Sequence, residues 1–233
     1  MPELPEVETV KEALNQTVKG QTIKEIELRY EPMVKNMSAD EFKEKLINQT
    51  IQEVSRRGKY LVFHFDDYQL LSHLRMEGKY FYVDSNFELN SHVHVIFTLE
   101  NGKRLLYQDT RKFGTYHLYD KAIDLETTAP FQVLGLEPFA TEFTPSYVKE
   151  KIQNKKKPIK SLLLDQTVVC GLGNIYVDEV LYRARLHPLT SSSELTDKDI
   201  ENVVKYTVEV LARAIELGGT TIRTFRSSHG VSG

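Results

Sequence analysis

The sequence contains very little cysteine and no long apolar segment. Its 233 residues include one cysteine, Cys170, which excludes an internal disulfide and a four-cysteine zinc site within the chain. No apolar run approaches the roughly 20 residues that a membrane-spanning helix needs. The acidic start after Met1 lacks the basic flank of a signal peptide. We therefore expect a soluble, cytoplasmic protein that has no membrane partner.

Positive charge is also scarce. The chain has 30 Lys and Arg against 33 Asp and Glu, a net charge of −3, whereas a protein that coats nucleic acid indiscriminately needs a surplus of cations. Any nucleic-acid surface must therefore be local. Short basic runs occur at residues 56–59 (RRGK), 111–112 (RK) and 155–160 (KKKPIK). Such runs are also typical of solvated surface.

The first half of the chain combines helix and strand patterns. Apolar residues recur at helical spacing from Pro5 to Val18, before Gly20, and Ser38 with Glu41 forms the pattern of a capping box at a second helix. Asn101-Gly102 predicts a hairpin turn. Segments rich in β-branched and aromatic residues predict strands at 60–65, 79–83, 92–97 and 103–107. These patterns favour an antiparallel sandwich or barrel.

Helical patterns dominate the second half. Thr144 and Pro145 predict the start of a helix that continues to Ile152, and Gly218-Gly219 predicts the end of the last helix. Between them, apolar spacing predicts helices at 162–169, 175–186 and 200–215. Residues 220–233 are rich in Gly, Ser and Thr and predict a loop. We therefore expect an α+β protein with a helical second domain.

The N-terminus offers a nucleophile and an acid side by side. Removal of Met1 would leave Pro2 as a secondary amine, and α-amino groups have a pKa near ~8. Such an amine can attack the anomeric carbon of a nucleotide, expel the base and leave an iminium. The adjacent Glu3 could protonate the opening sugar. Taken alone, however, Pro2 is also an ordinary residue at the start of a helix.

Seven segments together resemble one family, in its own order along the chain. They are residues 1–10 (MPELPEVETV), 56–61 (RRGKYL), 73–78 (HLRMEG), 92–94 (HVH), 109–114 (DTRKFG), 171–176 (GLGNIY) and 218–221 (GGTT). The family is the formamidopyrimidine-DNA glycosylases, bacterial enzymes that remove oxidised purines from DNA and then nick the strand. One such segment alone is weak evidence for membership of this family, but seven segments in the family's order are highly specific evidence.

The resemblance assigns roles to the residues of the first domain. It makes Pro2 the Schiff-base nucleophile, Glu3 the proton donor and Lys59 the group that assists β-elimination, with Glu6 in support. Without the resemblance, Lys59 would be a surface lysine at a strand start and Glu6 a partner of the helix dipole. An enzyme that extrudes a base must fill the vacated stack. The residues that match the family's intercalating set are Met76, Arg111 and Phe113; the alternative places Met76 and Phe113 in the core.

Further residues match the family's DNA contacts. Phosphate and backbone contacts fall on His92, Arg111, Lys155, Lys160 and Asn174, together with the backbone amides of the turn at 171–174 in the helix-two-turn-helix element. The base pocket and the loop that closes over the base fall on Glu77, Thr220, Ile222, Arg223 and Thr224. A mobile terminus is the alternative for that loop. His92 and His94 lie two apart on a predicted strand, but no third metal ligand accompanies them.

The sequence departs from the family at its C-terminus. Relatives continue into a zinc finger with two Cys-x-x-Cys pairs, and this sequence reaches Gly233 without one. We therefore expect no cofactor within the chain, and Zn²⁺ only if a finger follows Gly233. The finger carries the arginine for δ-elimination, so that step depends on it.

The resemblance implies a monomeric DNA glycosylase and abasic-site lyase of two domains. The expected parts are an antiparallel β-sandwich flanked by helices at 1–135, a helical helix-two-turn-helix domain at 136–219 and a base-capping loop at 220–233. The two domains would flank a DNA-binding cleft with Pro2 and Glu3 at its floor. The partner would be double-stranded DNA that contains oxidised bases or abasic sites. Two alternatives stay open: an oxidised-pyrimidine glycosylase of the sister class, and a non-catalytic module that binds damaged DNA.

Overall fold

The computed structural model describes residues 1–218 and 225–227, which form two compact units. The first unit contains Met1–Pro2, Glu6–Ile123 and the strand Phe225–Ser227, and the second contains Glu3–Pro5 and Asp124–Leu217. The expected domain boundary at residue 135 therefore falls inside the second unit. The cause is local: Gly135 N donates to Gln166 O (2.7 Å), which ties this segment to the helices.

Six α-helices lie in the described part of the chain. They are α1 (Leu4–Thr17), α2 (Ala39–Leu46), α3 (Pro145–Ile152), α4 (Ile159–Leu164), α5 (Asn174–Ala184) and α6 (Asp197–Glu216). Short 3-10 helices occur at Glu31–Met33, Leu125–Thr127 and Ser192–Glu194. None of the helices described between residues 1 and 218 combines the length and the apolar character that a bilayer crossing requires.

Nine strands form two sheets within the described residues. They are β1 (Ile23–Leu28), β2 (Glu53–Arg57), β3 (Tyr60–His64), β4 (Tyr68–His73), β5 (Lys79–Val83), β6 (Val93–Leu99), β7 (Arg104–Gln108), β8 (Thr115–Asp120) and β9 (Phe225–Ser227). The five-stranded sheet has the order β1-β6-β7-β5-β9, and the four-stranded sheet has the order β2-β3-β4-β8. Residues of both sheets and of α1 share one buried apolar core, which confirms the sandwich.

Two features of the sandwich differ from the prediction. Every described strand pair is antiparallel except β5 with β9, which is parallel and joins a strand from the far end of the chain to the sheet. The same strand corrects the loop predicted across 220–233, since three of its residues pair with β5. The hairpin at Asn101-Gly102 is confirmed, and Gly102 adopts the left-handed φ of +85° that such a turn needs.

The second unit buries an aliphatic core among α3, α4, α5 and α6. Thr144 caps α3 by accepting from Tyr147 N (3.2 Å), as its sequence predicts. The helix predicted at 162–169 is wrong beyond Leu164. There the Asp165 carboxylate accepts from Thr167 N (2.9 Å), and Gln166 takes a left-handed φ of +69°. This local hydrogen bond competes with the helix and ends it.

Candidate functional site

Lys59 lies beside Met1 in the sandwich unit. Pro2 is buried and is separated from α1 by Glu3, and Lys59 follows Gly58 in the tight turn between β2 and β3. Although it is a lysine, Lys59 is only 8% exposed, and its Nζ lies 3.8 Å from Met1 Sδ. The fold therefore brings a buried lysine to the N-terminal residue.

Glu3 is bound to the N-terminus of α5. Its side chain is 1% exposed, and its carboxylate accepts from Gly173 N (2.6 Å), Ile175 N (2.9 Å) and Tyr176 N (3.2 Å). The first amides of a helix have no partner within the helix and carry partial positive charge. Glu3 thus caps α5 from about 170 residues away in sequence, and both of its oxygens are fixed in place.

Two glycines permit this close approach. A Cβ on Gly173 would lie 2.6 Å from Glu3 Cγ, and a Cβ on Gly171 would lie 2.5 Å from Leu4 Cδ1. Gly171 also has a φ of +107°, which side chains rarely adopt. The sequence analysis assigned the backbone amides of this turn to phosphate binding. In the structure, three amides at the start of α5 donate to the Glu3 carboxylate. Asn174 lies at the first position of α5 and is exposed.

Glu6 and Glu8 lie one turn further along α1. Glu6 is 2% exposed in the first turn, and Glu8 binds Arg56 Nε and Lys11 Nζ, each at 2.6 Å. Burial alone would raise the pKa of Glu8, but hydrogen bonds and charge from Lys11 and Arg56 hold it below its ordinary value of 4.5. Arg56, which belongs to a predicted basic run, is therefore paired inside the protein rather than displayed on its surface.

Two turns display the residues predicted to intercalate. Met76 lies in the turn between β4 and β5 and is 39% exposed, and Phe113 lies between β7 and β8 and is 50% exposed. The Arg111 guanidinium lies 4.8 Å from the centroid of the Phe113 ring. The alternative that buried Met76 and Phe113 in the core is wrong. Glu77, beside Met76, is half-buried.

Asp109 is a residue whose role the sequence analysis missed. It is 1% exposed, and its carboxylate accepts from Arg111 N (3.1 Å), Lys112 N (3.1 Å) and Gly114 N (2.8 Å). Aspartate binding to amides two or three residues ahead is a known turn signal. The signal was therefore present in the sequence at the start of the DTRKFG segment.

The two histidines of the HVH segment do not form a pair. His92 is exposed and precedes β6, whereas His94 is 4% exposed and its Nε2 donates to Asp109 O (2.6 Å). A register shift between Val93 and Val95 breaks the simple alternation of the strand. Across residues 1–218 and 225–227, no cluster of three or more His, Cys, Asp or Glu side chains is arranged to hold a metal ion.

The remaining predicted DNA contacts belong to the helical unit or lie outside the described residues. Lys155 is half-buried between α3 and α4. Lys160 is in the first turn of α4, and its Nζ forms an ion pair with Asp178 (2.9 Å). Phosphate would have to compete with that ion pair for Lys160. The site residues predicted in the capping loop lie outside the described residues; they are Thr220, Ile222, Arg223 and Thr224.

Comparison with known proteins identifies both units. The model of the formamidopyrimidine-DNA glycosylase N-terminal domain matches residues 1–116, and that of the H2TH domain of the same enzyme matches residues 134–226. The formamidopyrimidine-DNA glycosylase of Bacillus subtilis is 47% identical over 234 residues, which cover 100% of this chain and 84% of that protein.

Solved structures agree with this match. A Lactococcus lactis Fpg mutant in complex with a Fapy-dG-containing DNA is 42% identical, with a TM-score of 0.89 over 96% of this chain and 82% of that one. The wild-type Lactococcus lactis protein in complex with an oxidised-pyrimidine-containing DNA is 40% identical, with a TM-score of 0.89 over 99% and 85%. The chain therefore belongs to the formamidopyrimidine-DNA glycosylase family.

Proposed function

We propose that this chain removes oxidised purines, namely 8-oxoguanine and formamidopyrimidines, from double-stranded DNA and then cleaves the strand at the abasic site. The observation that carries this proposal is the buried Lys59, whose ammonium lies beside Met1 and hence at the Pro2 end of the chain. The proposal also rests on family membership.

The proposed reaction begins at Pro2. While Met1 is attached, the Pro2 nitrogen is an amide and is not nucleophilic; after Met1 is removed it is a secondary amine. That nitrogen forms a bond to C1′ of the damaged nucleotide, the bond from C1′ to the base breaks, and the base leaves with the electron pair and takes up the proton that the amine nitrogen loses. Glu3 gives its proton to the sugar oxygen as the ring opens. The product is an iminium that joins Pro2 to the opened sugar.

Strand cleavage follows from the iminium. The positive charge acidifies the C2′ proton, which passes to water. The electron pair of the broken C–H bond forms a double bond between C2′ and C3′ and expels the phosphate on the 3′ side. Lys59 assists this β-elimination as a cation for the departing phosphate. Elimination of the second phosphate, the δ step, would then release the opened sugar, and that step depends on the arginine of a zinc finger after Gly233.

The proposed DNA contacts surround this chemistry. Met76 and Phe113 enter the space that the extruded base vacates, and Arg111 pairs with the orphaned opposite base. Their exposure supports this role, because an intercalating side chain must be accessible. Phosphate contacts are proposed for His92, Lys155, Lys160 and Asn174. The residues proposed to line and close the base pocket are Glu77, Thr220, Ile222, Arg223 and Thr224. The acting species would be a monomer.

Borohydride trapping tests the nucleophile. The chain, with Met1 removal verified by mass spectrometry, is incubated with a duplex that carries 8-oxoguanine opposite cytosine, and borohydride then reduces the iminium to a stable adduct. We expect an adduct that maps to Pro2. A matched control places two extra residues before Pro2, which converts its amine to an amide and should abolish the adduct. If this blocked chain traps DNA equally well, the assignment of Pro2 is wrong.

An oxidised-pyrimidine activity is the second candidate. The Lactococcus lactis relative has been solved with an oxidised-pyrimidine-containing DNA, which favours testing this substrate class directly. Matched duplexes that carry 8-oxoguanine or thymine glycol distinguish the two, and we expect faster release of the purine. Faster release of thymine glycol would support the sister activity, and lesion binding without any release would support a non-catalytic module.

A further inference from the structure

The hydroxyl of Tyr107 lies between the two turns that carry the predicted intercalating residues. Tyr107 is 1% exposed in β7, and its hydroxyl donates to Asp109 Oδ2 (3.0 Å). A Cβ on Gly78, at the end of the Met76 turn, would lie 2.6 Å from this hydroxyl oxygen, and a Cβ on Gly114, at the end of the Phe113 turn, would overlap it. Both turns therefore pack directly against one buried oxygen.

Asp109 extends this contact into the backbone of the second turn. The oxygen that accepts from Tyr107 also accepts from Gly114 N (2.8 Å), and the other oxygen accepts from Arg111 N and Lys112 N (both 3.1 Å). Burial and the neighbouring Asp109 carboxylate raise the pKa of the Tyr107 hydroxyl well above its ordinary value of 10.0. The hydroxyl consequently keeps its proton and stays a donor.

Both turns hold a backbone conformation that needs such support. Arg75, next to Met76, has a φ of +55°, and Lys112, between Arg111 and Phe113, has a φ of +58°. Left-handed backbone is unfavourable for residues other than glycine and persists only where the surrounding structure fixes it. In the first turn, His73 Nδ1 accepts from Arg75 N (3.0 Å), and Gly78 N donates to Leu74 O (3.0 Å).

We infer that Tyr107 and Asp109 form a positioning pair that fixes the Met76 turn and the Arg111–Phe113 turn relative to each other, and so controls extrusion of the damaged base. The inference rests on the proposed function, in which these turns enter the DNA stack. Neither residue touches the reacting atoms. Loss of the pair should therefore slow base extrusion and leave the chemistry at Pro2 intact.

The variant Tyr107→Phe tests the inference, with Tyr80→Phe as the matched control. The Tyr80 hydroxyl is buried in the same core, opposite Tyr107 in the β5–β7 register, and it bonds Ser72 and Tyr116 (both 2.7 Å) rather than either turn. Both variants lose one buried hydroxyl and keep the ring. Their thermal unfolding is compared first, so that a general loss of stability is measured and matched.

Two activities then separate extrusion from chemistry. For Tyr107→Phe we expect single-turnover release of 8-oxoguanine from a duplex to fall about tenfold, the change that matches one buried hydrogen bond. Borohydride trapping on single-stranded abasic DNA, which needs no extrusion, should stay within about twofold of the unaltered chain. Tyr80→Phe should stay within about twofold on both substrates. Asp109→Asn, which keeps the shape of the side chain, should follow Tyr107→Phe.

A fluorescent base opposite the lesion reports insertion of the turns without any bond being broken. We expect a smaller and slower fluorescence change on binding for Tyr107→Phe than for Tyr80→Phe. Equal changes in the two variants, or an equal loss on duplex and single-stranded substrates, would overturn the inference. If the unaltered chain forms no adduct but the fluorescence difference persists, the proposed chemistry fails and the positioning pair stands.

Discussion

Two buried carboxylates, one in each unit, each accept hydrogen bonds from three backbone amides, but they do so over very different distances in sequence. In the sandwich unit, Asp109 accepts hydrogen bonds from three backbone amides that lie two to five residues ahead of it. In the helical unit, Glu3 accepts hydrogen bonds from three amides that lie 170 to 173 residues ahead of it. Both are 1% exposed. One carboxylate shapes its own turn, whereas the other joins the chain start to a distant helix.

This difference separates local from global consequences. Amides that bind a nearby Asp can form that turn early, because little chain must be ordered to close the ring. Amides that bind Glu3 find it only when the second unit has folded. Damage at Asp109 should therefore loosen one turn, and damage at Glu3 should affect both the start of α5 and the proposed proton donor.

The largest effect is expected for Glu3→Gln. Removal of a general acid typically lowers the rate by about 10²–10⁴-fold, and a Gln NH₂ facing an amide donor should also destabilise the protein by about 2 kcal/mol. Single-turnover excision and urea unfolding measure the two effects. Glu179→Gln, at an exposed glutamate of α5 that pairs with Arg183 (3.4 Å), is the control and should change neither strongly. Wild-type activity in Glu3→Gln would remove Glu3 from the mechanism.

The contrast between the carboxylates also shows what the sequence could predict. The spacing of apolar residues located α1, α3 and α6, and capping residues located the starts of α2 and α3, because these signals lie within a few positions of the element. Strand β1 was missed, since its glutamates and lysine face solvent and dilute the apolar pattern. Strands β2, β4 and β8 were missed as well.

The contacts of the site residues also divide into those that a local sequence pattern reveals and those that depend on distant segments. The resemblance points to Pro2, Glu3 and Lys59 as site residues, a prediction that stays open. No local pattern shows that Glu3 binds the start of α5 or that Arg56 pairs with Glu8. Those contacts depend on how distant segments pack. Asp109, by contrast, could have been recognised from its own turn.

Gly171→Ala should give the next largest effect. The new Cβ would meet Leu4 Cδ1 at 2.5 Å in a backbone with a φ of +107°, and strain together with overpacking costs about 3 kcal/mol. Gly102→Ala is the matched control, because Gly102 also has a left-handed φ of +85° but its Cβ would meet nothing within 4 Å. That variant should lose only about 1 kcal/mol. Equal losses in urea unfolding would show that contact with Leu4 does not matter.

Acid should weaken the sandwich unit through His73. Burial, with the charges of Arg75 and Lys59, lowers the pKa of His73 from 6.5 to about 3. Between these values the unfolded chain binds the proton more readily, so this contribution to stability is complete above pH 6.5 and is lost as pH falls towards 3.

Urea unfolding as a function of pH measures this loss. We expect a slope of at most about 1.4 kcal/mol per pH unit from one such group, with smaller contributions from His64 and His117, whose pKa values burial also lowers. The variant His73→Gln should flatten the slope. In the unaltered protein, protonation of His73 should disturb mainly the turn at Arg75, because His73 Nδ1 accepts from Arg75 N. An unchanged slope would show that His73 does not cause the acid sensitivity.

The smallest effect is expected where left-handed residues are replaced by glycine, once in each unit. Arg185 ends α5 with a φ of +57°, and Lys112 has a φ of +58° in the turn that Asp109 shapes. Glycine adopts this backbone without steric cost, so Arg185→Gly and Lys112→Gly should each shift the free energy of unfolding by less than about 1 kcal/mol. Excision should nevertheless distinguish them. Lys112→Gly frees the backbone between Arg111 and Phe113 and should slow release from duplex DNA, whereas Arg185→Gly should not. Equal excision rates would mean that the Asp109 carboxylate alone holds the turn, without any contribution from the stiffness of residue 112.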